Sequence, residues 1–193
     1  MKKPNLLFPT PVWTLELENF KSVNEDMYNY IKNEQASDSN GINKSNIKGW
    51  HSKDFDLDHS EPKKFIKLIS SSIEQVMTDM NWDKEKQVVK INNMWAIINT
   101  GGSSNAQHQH GNSNISGAYY VRAPKNSGDI VFYDPRPAPV YFHPNAKSPN
   151  LLNAQVNSVS PKEGLLVLFP SYLDHSVNKN LSNEERIVIS FNI

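Results

Sequence analysis

The C-terminal half of this chain breaks into seven short runs of β-branched and aromatic residues, and that pattern limits the folds open to it. The runs cover residues 88–98, 115–121, 129–133, 155–159, 164–169, 175–177 and 186–193, with glycine, proline or asparagine in most gaps. Upstream the periodicity changes. Residues 61–80 place Phe65, Ile66, Ile69, Ile73, Val76 and Met77 at helical spacing behind Pro62, which predicts a helix backing onto a sheet. Residues 23–31 predict a shorter helix, and residues 6–17 a strand broken by Pro9 and Pro11 that suits a sheet edge. Helices followed by many short strands predict an α+β fold with a jelly-roll core and the N-terminal helices packed on one sheet. Residues 1–193 read as a single domain, with 1–86 the N-terminal strand and supporting helices and 87–193 the jelly-roll catalytic core.

Composition narrows the chemistry. The 193 residues contain no cysteine, which removes disulfides, thiolate metal sites and thiol nucleophiles together. Lysine plus arginine balance aspartate plus glutamate at 20 each, so no nucleic-acid or anionic-membrane partner is signalled. Leu6-Leu7-Phe8, closed by Pro9, is too short for the apolar core of a secretion leader, and no run approaches a membrane span. The expectation is a soluble, cytoplasmic protein. Its oligomeric state is open, since residues 6–17 can add to a neighbour's sheet.

The polar residues that stand out are His108-Gln109-His110, His175 and Arg186. Histidines at i and i+2 on a strand share a face, roughly 6.5–7 Å apart, and one ion with bonds of about 2.0–2.2 Å can be held by both. His175 and Arg186 lie eleven positions apart, about 36 Å on one extended strand. The polar stretch 178–183 predicts a turn that folds them into an antiparallel hairpin. Alternation then sets Arg186, Val188, Ser190 and Asn192 against Ile187, Ile189 and Phe191, the second set being the natural core face. An arginine directed into a barrel needs an anion, because an unpaired buried charge costs several kcal/mol. Against this stands a plainer account, in which the histidines are satisfied polar residues and Arg186 pairs with a surface carboxylate.

In order and spacing these segments resemble the Fe(II)- and 2-oxoglutarate-dependent oxygenases, in particular their prolyl-hydroxylase-like branch with its small bacterial and phage members. The resemblance runs over residues 94–192, about half the chain. MWAIINTGGSSNAQHQH is similar to the segment delivering the family's His-x-Asp pair, SGAYYV to its tyrosine-bearing strand and SGDIVFYDPR to the strand after it. EGLLVLFPSYLDHSV resembles the strand with the distal histidine, and RIVISFN the strand with the 2-oxoglutarate arginine. The resemblance implies a double-stranded β-helix, cupin-like, and a hydroxylase with Fe(II) as metal and 2-oxoglutarate and O2 as co-substrates. It releases succinate and CO2 and acts on a C–H bond, with a prolyl or other peptidyl residue as the suggested target.

Carried over by position, His108, His110 and His175 form the metal site, and Arg186 and Tyr120 bind 2-oxoglutarate. Tyr119 faces the opposite way from Tyr120. Ser190 and Asn99 are expected beside the co-substrate, with Asn105 and Gln107 orienting ligands. Asp134 and Arg136 are expected at the substrate rim, or else simply form the Asp-Pro-Arg-Pro turn. His51, His59 and His143 read as ordinary solvated residues, and residues 37–60 and 135–153 as the loops that set specificity. His110 departs from the family pattern, since it stands where a carboxylate is usual. Three readings follow: His110 ligates, Asp129 or Asp134 supplies the carboxylate, or a shifted set includes Asn112. Two other functions also stand open, a three-histidine cupin-type metalloenzyme that does not use 2-oxoglutarate and a non-catalytic jelly-roll binding module.

Overall fold

A computed structural model describes residues 3–137, 142 and 144–193. His143 and residues 138–141 of the proline-rich segment lie outside the described residues. The elements run β1 (Trp13–Glu16), α1 (Lys21–Ser37), β2 (Asn46–Ile47), β3 (Trp50–His51), α2 (Ser60–Asp79), β4 (Asn93–Asn99) and β5 (Ser104–His108). There follow β6 (Ile115–Arg122), β7 (Ile130–Tyr133), β8 (Val156–Val159), β9 (Leu165–Pro170), β10 (His175–Val177) and β11 (Arg186–Asn192). They build two antiparallel sheets, ordered β1-β9-β6-β11-β4-β3 and β2-β5-β10-β7-β8. Strands β4 to β11 contribute four to each sheet, which is the double-stranded β-helix. The two-residue strands β2 and β3 and the strand β5 are absent from the run pattern of the sequence because they are short and polar.

The larger sheet is buried on both faces. Its outer face carries Met94, Ala96, Ile98, Tyr119, Leu166, Leu168, Ile187, Ile189 and Phe191, which pack against Met27, Ile31, Phe65, Ile69 and Val76 of the helices. The stripe predicted for residues 61–80 is therefore the buried face of α2. Helix α1 extends to Ser37, beyond the expected 31, and is fastened by Asn24. The Asn24 Nδ2 donates to the Val121 carbonyl (3.1 Å), and its Oδ1 accepts from the Tyr119 hydroxyl (2.6 Å). Strand β1 pairs with β9 at the sheet edge, starting only after Pro9 and Pro11. The inner faces of the two sheets meet through Ala118, Tyr120, Ile130, Phe132, Val167, Phe169 and Val188.

The predicted hairpin between β10 and β11 does not form. Strand β10 lies between β5 and β7, and β11 between β4 and β6, so neither has a free edge for the other. The segment between them crosses from one sheet to the other. Asn180 holds that crossing, with its Nδ2 donating to the carbonyls of Asn99 and Glu184, both at 2.8 Å. His175 and Arg186 thus approach each other across the barrel and not along a ribbon. Among the described residues no helix is long and apolar enough to cross a membrane.

The Tyr119–Asn24 bond gives a test of how α1 is docked. Tyr119→Phe leaves the buried Asn24 Oδ1 without a donor and is expected to cost about 1–3 kcal/mol in urea unfolding. A loss below a few tenths of a kcal/mol would show that the bond does not anchor the helix.

Candidate metal and co-substrate site

Strands β5 and β10 pair with His108 directly opposite His175, and His110 follows two residues after His108. The imidazole centroids lie 4.3 Å (His108–His175), 5.1 Å (His110–His175) and 5.3 Å (His108–His110) apart. One ring nitrogen from each falls within 4.8 Å of the other two. The hydrogen bonds say which nitrogen that is. The Nδ1 of His108 meets the Ala106 carbonyl (2.8 Å), that of His175 the Leu173 carbonyl (2.9 Å), and that of His110 the Asn192 Oδ1 (2.6 Å). A carbonyl or amide oxygen only accepts, so each Nδ1 carries the proton and each Nε2 is left as a lone pair.

Burial holds the rings in that neutral form. It lowers the pKa of all three and pushes His175 down to about 3, with repulsion from His108 adding to the effect. Three neutral, converging imidazole nitrogens on fixed backbones suit a divalent transition metal. Among the described residues no carboxylate joins the group. Asp129 accepts from Ser158 (3.3 Å), Asp134 pairs with Arg136 (2.8 Å), and Asn112 sits in a turn at φ 58°. The carboxylate and shifted-set alternatives are therefore set aside in favour of His110.

The three histidines line a cavity of about 730 Å³ between the sheets, together with Tyr120, Ile130, Phe169, Val188, Ser190 and Arg186. Arg186 is 1% exposed. Its Nη1 donates to the carbonyls of Ser127 (2.5 Å) and Gly128 (2.7 Å), while its Nε is buried without a partner. Gly128 makes that contact possible. At φ 93°, a Cβ there would lie 2.2 Å from the Asn178 carbonyl oxygen and 2.9 Å from Arg186 Nη1. Burial lowers the pKa of the guanidinium, opposed by Tyr120 and Asp129. The Tyr120 phenol is pushed up to about 12 by burial, so at neutral pH it is a hydrogen-bond donor. A buried cation with an unused N–H beside a protonated phenol is a receptor for a carboxylate.

The other expected residues divide, with Asn105 and Gln107 lining the cavity and the rest outside it. Asn99 does not line the cavity; its Nδ2 donates to Asn105 Oδ1 (3.0 Å), and Gly49 lies so close that a Cβ there would meet Asn99 Oδ1 at 2.2 Å. Gln107 lines the cavity, where its Nε2 donates to Asp174 Oδ2 (3.2 Å) and not to a histidine. Asp134 and Arg136 bond each other as a turn and are not among the cavity residues. The described residues of 135–153 do not line the cavity either, whereas Ile42, Lys44, Ser45, His51, Lys53 and Asp54 from 37–60 do. His51 is a correction: it is 6% exposed, not solvated, and stacks on Trp95 (5.7 Å, 8°). Trp95 in turn lies 5.7 Å from the His110 ring. Sequence reading also missed Asn192, Ser116 and Ser171 around His110, since polar residues inside a strand pattern give no partner-specific signal.

Comparison with known proteins agrees with this geometry. A family profile described as "Putative 2OG-Fe(II) oxygenase" matches residues 93–192, just over half the chain. No curated protein sequence matches. Among solved structures the fold is similar to a prolyl-4-hydroxylase of Pseudomonas putida, at TM-score 0.65 and 12% identity, covering 95% of this chain and 92% of that one. It is similar to a prolyl hydroxylase from Trichoplax adhaerens in complex with a hypoxia inducible factor peptide fragment, at TM-score 0.63 and 15% identity over 94% and 83% of the two chains. A third is HygX of Streptomyces hygroscopicus with nickel and 2-oxoglutarate bound, at 0.62 and 9% over 94% and 82%. At such identities these likenesses establish the double-stranded β-helix alone. The profile match and the three-histidine site together establish more: the chain belongs to the 2OG-Fe(II) oxygenase family, an enzyme with Fe(II) as its metal and 2-oxoglutarate and O2 as co-substrates.

Proposed function

We propose that this enzyme hydroxylates a C–H bond of a peptidyl substrate, with a prolyl residue as the leading target. One oxygen atom of O2 enters the product and the other enters succinate, with CO2 released from 2-oxoglutarate. The observation that carries the reading is the buried Arg186, whose Nε has no protein partner, in the same cavity as three bare imidazole nitrogens.

His108, His110 and His175 hold the iron through Nε2, each steered by its Nδ1 bond. The iron, with 2-oxoglutarate bound, supplies the oxidising chemistry. Arg186 takes the distal carboxylate of 2-oxoglutarate through its free N–H groups, and Tyr120 donates to the same carboxylate from the neighbouring strand. Ser190, which faces the cavity between Asn192 and Val188, is placed to add a hydroxyl contact. Phe169, Val188 and Ile130 keep that end of the cavity apolar, which strengthens the ion pair by excluding water. The substrate enters on the side of residues 37–60, where His51 and Trp95 form an aromatic wall beside His110. A peptide target is supported by the branch that the sequence resembles and by the peptide-bound neighbour.

Purified protein supplied with Fe(II), 2-oxoglutarate and O2 is expected to release succinate slowly even without a prime substrate. Arg186→Ala should raise the KM for 2-oxoglutarate roughly a hundredfold or more, since it deletes a buried charge-assisted contact. Succinate formation with unchanged KM in that variant would refute the assignment of Arg186.

Acid should act on the metal-free protein through the same histidines. Their folded pKa values lie below the ordinary value of about 6.5, so the unfolded chain binds more protons below that pH. Stability is therefore complete above about pH 6.5 and falls progressively as pH drops towards 3. Denaturant titrations of wild type and His175→Phe across this range should show a shallower decline in the variant; parallel declines would rule out His175 as a source of the effect.

A further inference from the structure

His110 stands on a polar row that crosses the larger sheet. Asn192 of β11 lies directly opposite Asn93 of β4 on one side and Ser116 of β6 on the other. Ser171, immediately after β9, completes the row. Asn192 Nδ2 donates to Asn93 Oδ1 (3.0 Å), which turns Asn192 Oδ1 towards His110 and Ser116. The Ser116 hydroxyl donates to that oxygen (2.8 Å) and also lies 2.8 Å from both His110 Nδ1 and Ser171 Oγ. The Ser171 carbonyl accepts the backbone N–H of His110 (2.9 Å). Ser116 and Ser171 are fully buried and Asn192 is 7% exposed, so little water competes.

We propose that Asn192, locked by Asn93 and supported by Ser116, is the positioning residue that makes His110 the third metal ligand in place of a carboxylate. This rests on the oxygenase reading above. A histidine substituted into a carboxylate's position has two tautomers, and only the one protonated at Nδ1 offers Nε2 to the metal. An amide oxygen 2.6 Å from Nδ1 selects that tautomer, because a bare nitrogen there would face the oxygen lone pair to lone pair. His108 and His175 obtain the same selection from backbone carbonyls, which no side-chain substitution removes. His110 alone depends on a side chain for it, and Asn93 fixes which end of that side chain it sees. The carboxylate-to-histidine change and the Asn93–Asn192–Ser116 row therefore form one device.

Two readouts on the metal-free protein and its Fe(II) complex test this. In the metal-free wild type, nitrogen-15 NMR of the imidazoles should show His110 as a single species protonated at Nδ1. Asn192→Leu, which keeps the volume and removes the acceptor, should give a tautomer mixture and weaken anaerobic Fe(II) binding by about 10–100-fold. Asn192→Asp restores an acceptor and should recover the Nδ1–H form and most of the affinity, a rescue that simple loss of packing does not predict. Should the leucine variant fail to fold, Asn93→Ala leaves Asn192 in place but frees its amide to turn, and should show the same mixing with a smaller loss of affinity. A His110 that keeps its tautomer and Fe(II) affinity in both Asn192→Leu and Asn93→Ala overturns the proposal, as does an aspartate variant no better than the leucine one. The two readings fail separately. A wild-type protein that binds no Fe(II) sinks the iron assignment and the positioning role with it, whereas Fe(II) binding indifferent to Asn192 sinks only the latter.

Discussion

Strand β11 is buried at all seven positions, and its alternation sorts the molecule into two halves. Ile187, Ile189 and Phe191 point to the helices, where Phe65 packs against Phe191 at a ring separation of 6.3 Å. Arg186, Val188, Ser190 and Asn192 point into the barrel. Because the side-chain period of a strand is two, a slip of one residue would send the arginine into the apolar helix interface and an isoleucine into the site. The two faces therefore fix each other's register. The cost of burying Arg186 among Phe and Ile side chains is what makes a slip prohibitive. Ladders to β4 and β6 then transmit that register to Trp95 and Tyr120, so the cavity wall is laid out by one strand and its two neighbours.

The helices are part of the same constraint. The inner face shares its apolar residues with the polar groups of the site, and the outer face adds the larger of the two apolar clusters. Tyr119 and Tyr120 show the division in two adjacent residues. The first donates to Asn24 beneath helix α1, and the second stands protonated beside Arg186. Gly117, directly opposite Phe191 on the neighbouring strand, leaves room for that ring to lie across the sheet, since a Cβ there would fall 2.2 Å from it.

Much of this was legible in the chain, for identifiable reasons. Six of the seven predicted runs coincide with strands to within a few residues, because they are apolar and bounded by turn residues; the first begins only at Asn93, as residues 88–92 are exposed or partly so. The alternation in residues 186–192 was readable because one face is wholly apolar. What failed was pairing. A polar turn between two strands looks the same whether the strands become neighbours or cross between sheets, and the contest is decided by partners far off in the chain, such as Phe132 and His108 for His175 and Asn99 for Arg186. His51 was misread for a related reason: it lies in a polar stretch, and it is buried by the pairing of β3 with β4 and by the stacking of Trp95 against it. The row of Asn93, Ser116, Ser171 and Asn192 gave no warning, since each of its members comes from a different strand or turn.

Charge is the last link between this architecture and its chemistry. The iron site made from three neutral imidazoles brings no negative charge, and Arg186 adds a positive one with no ion-pair partner among the described residues. In the proposed assignment the dianion of 2-oxoglutarate meets two of the three positive charges gathered in the cavity and leaves one. In a site with a carboxylate ligand the same count closes at zero. The excess acts on the co-substrate first, since a dianion gains more from an uncompensated cation in an apolar cavity than from one already matched. Burial lowers the imidazole pKa values, with repulsion among the histidines adding to it, so the three metal-binding nitrogens are held unprotonated and Arg186 remains the cavity's buried positive charge.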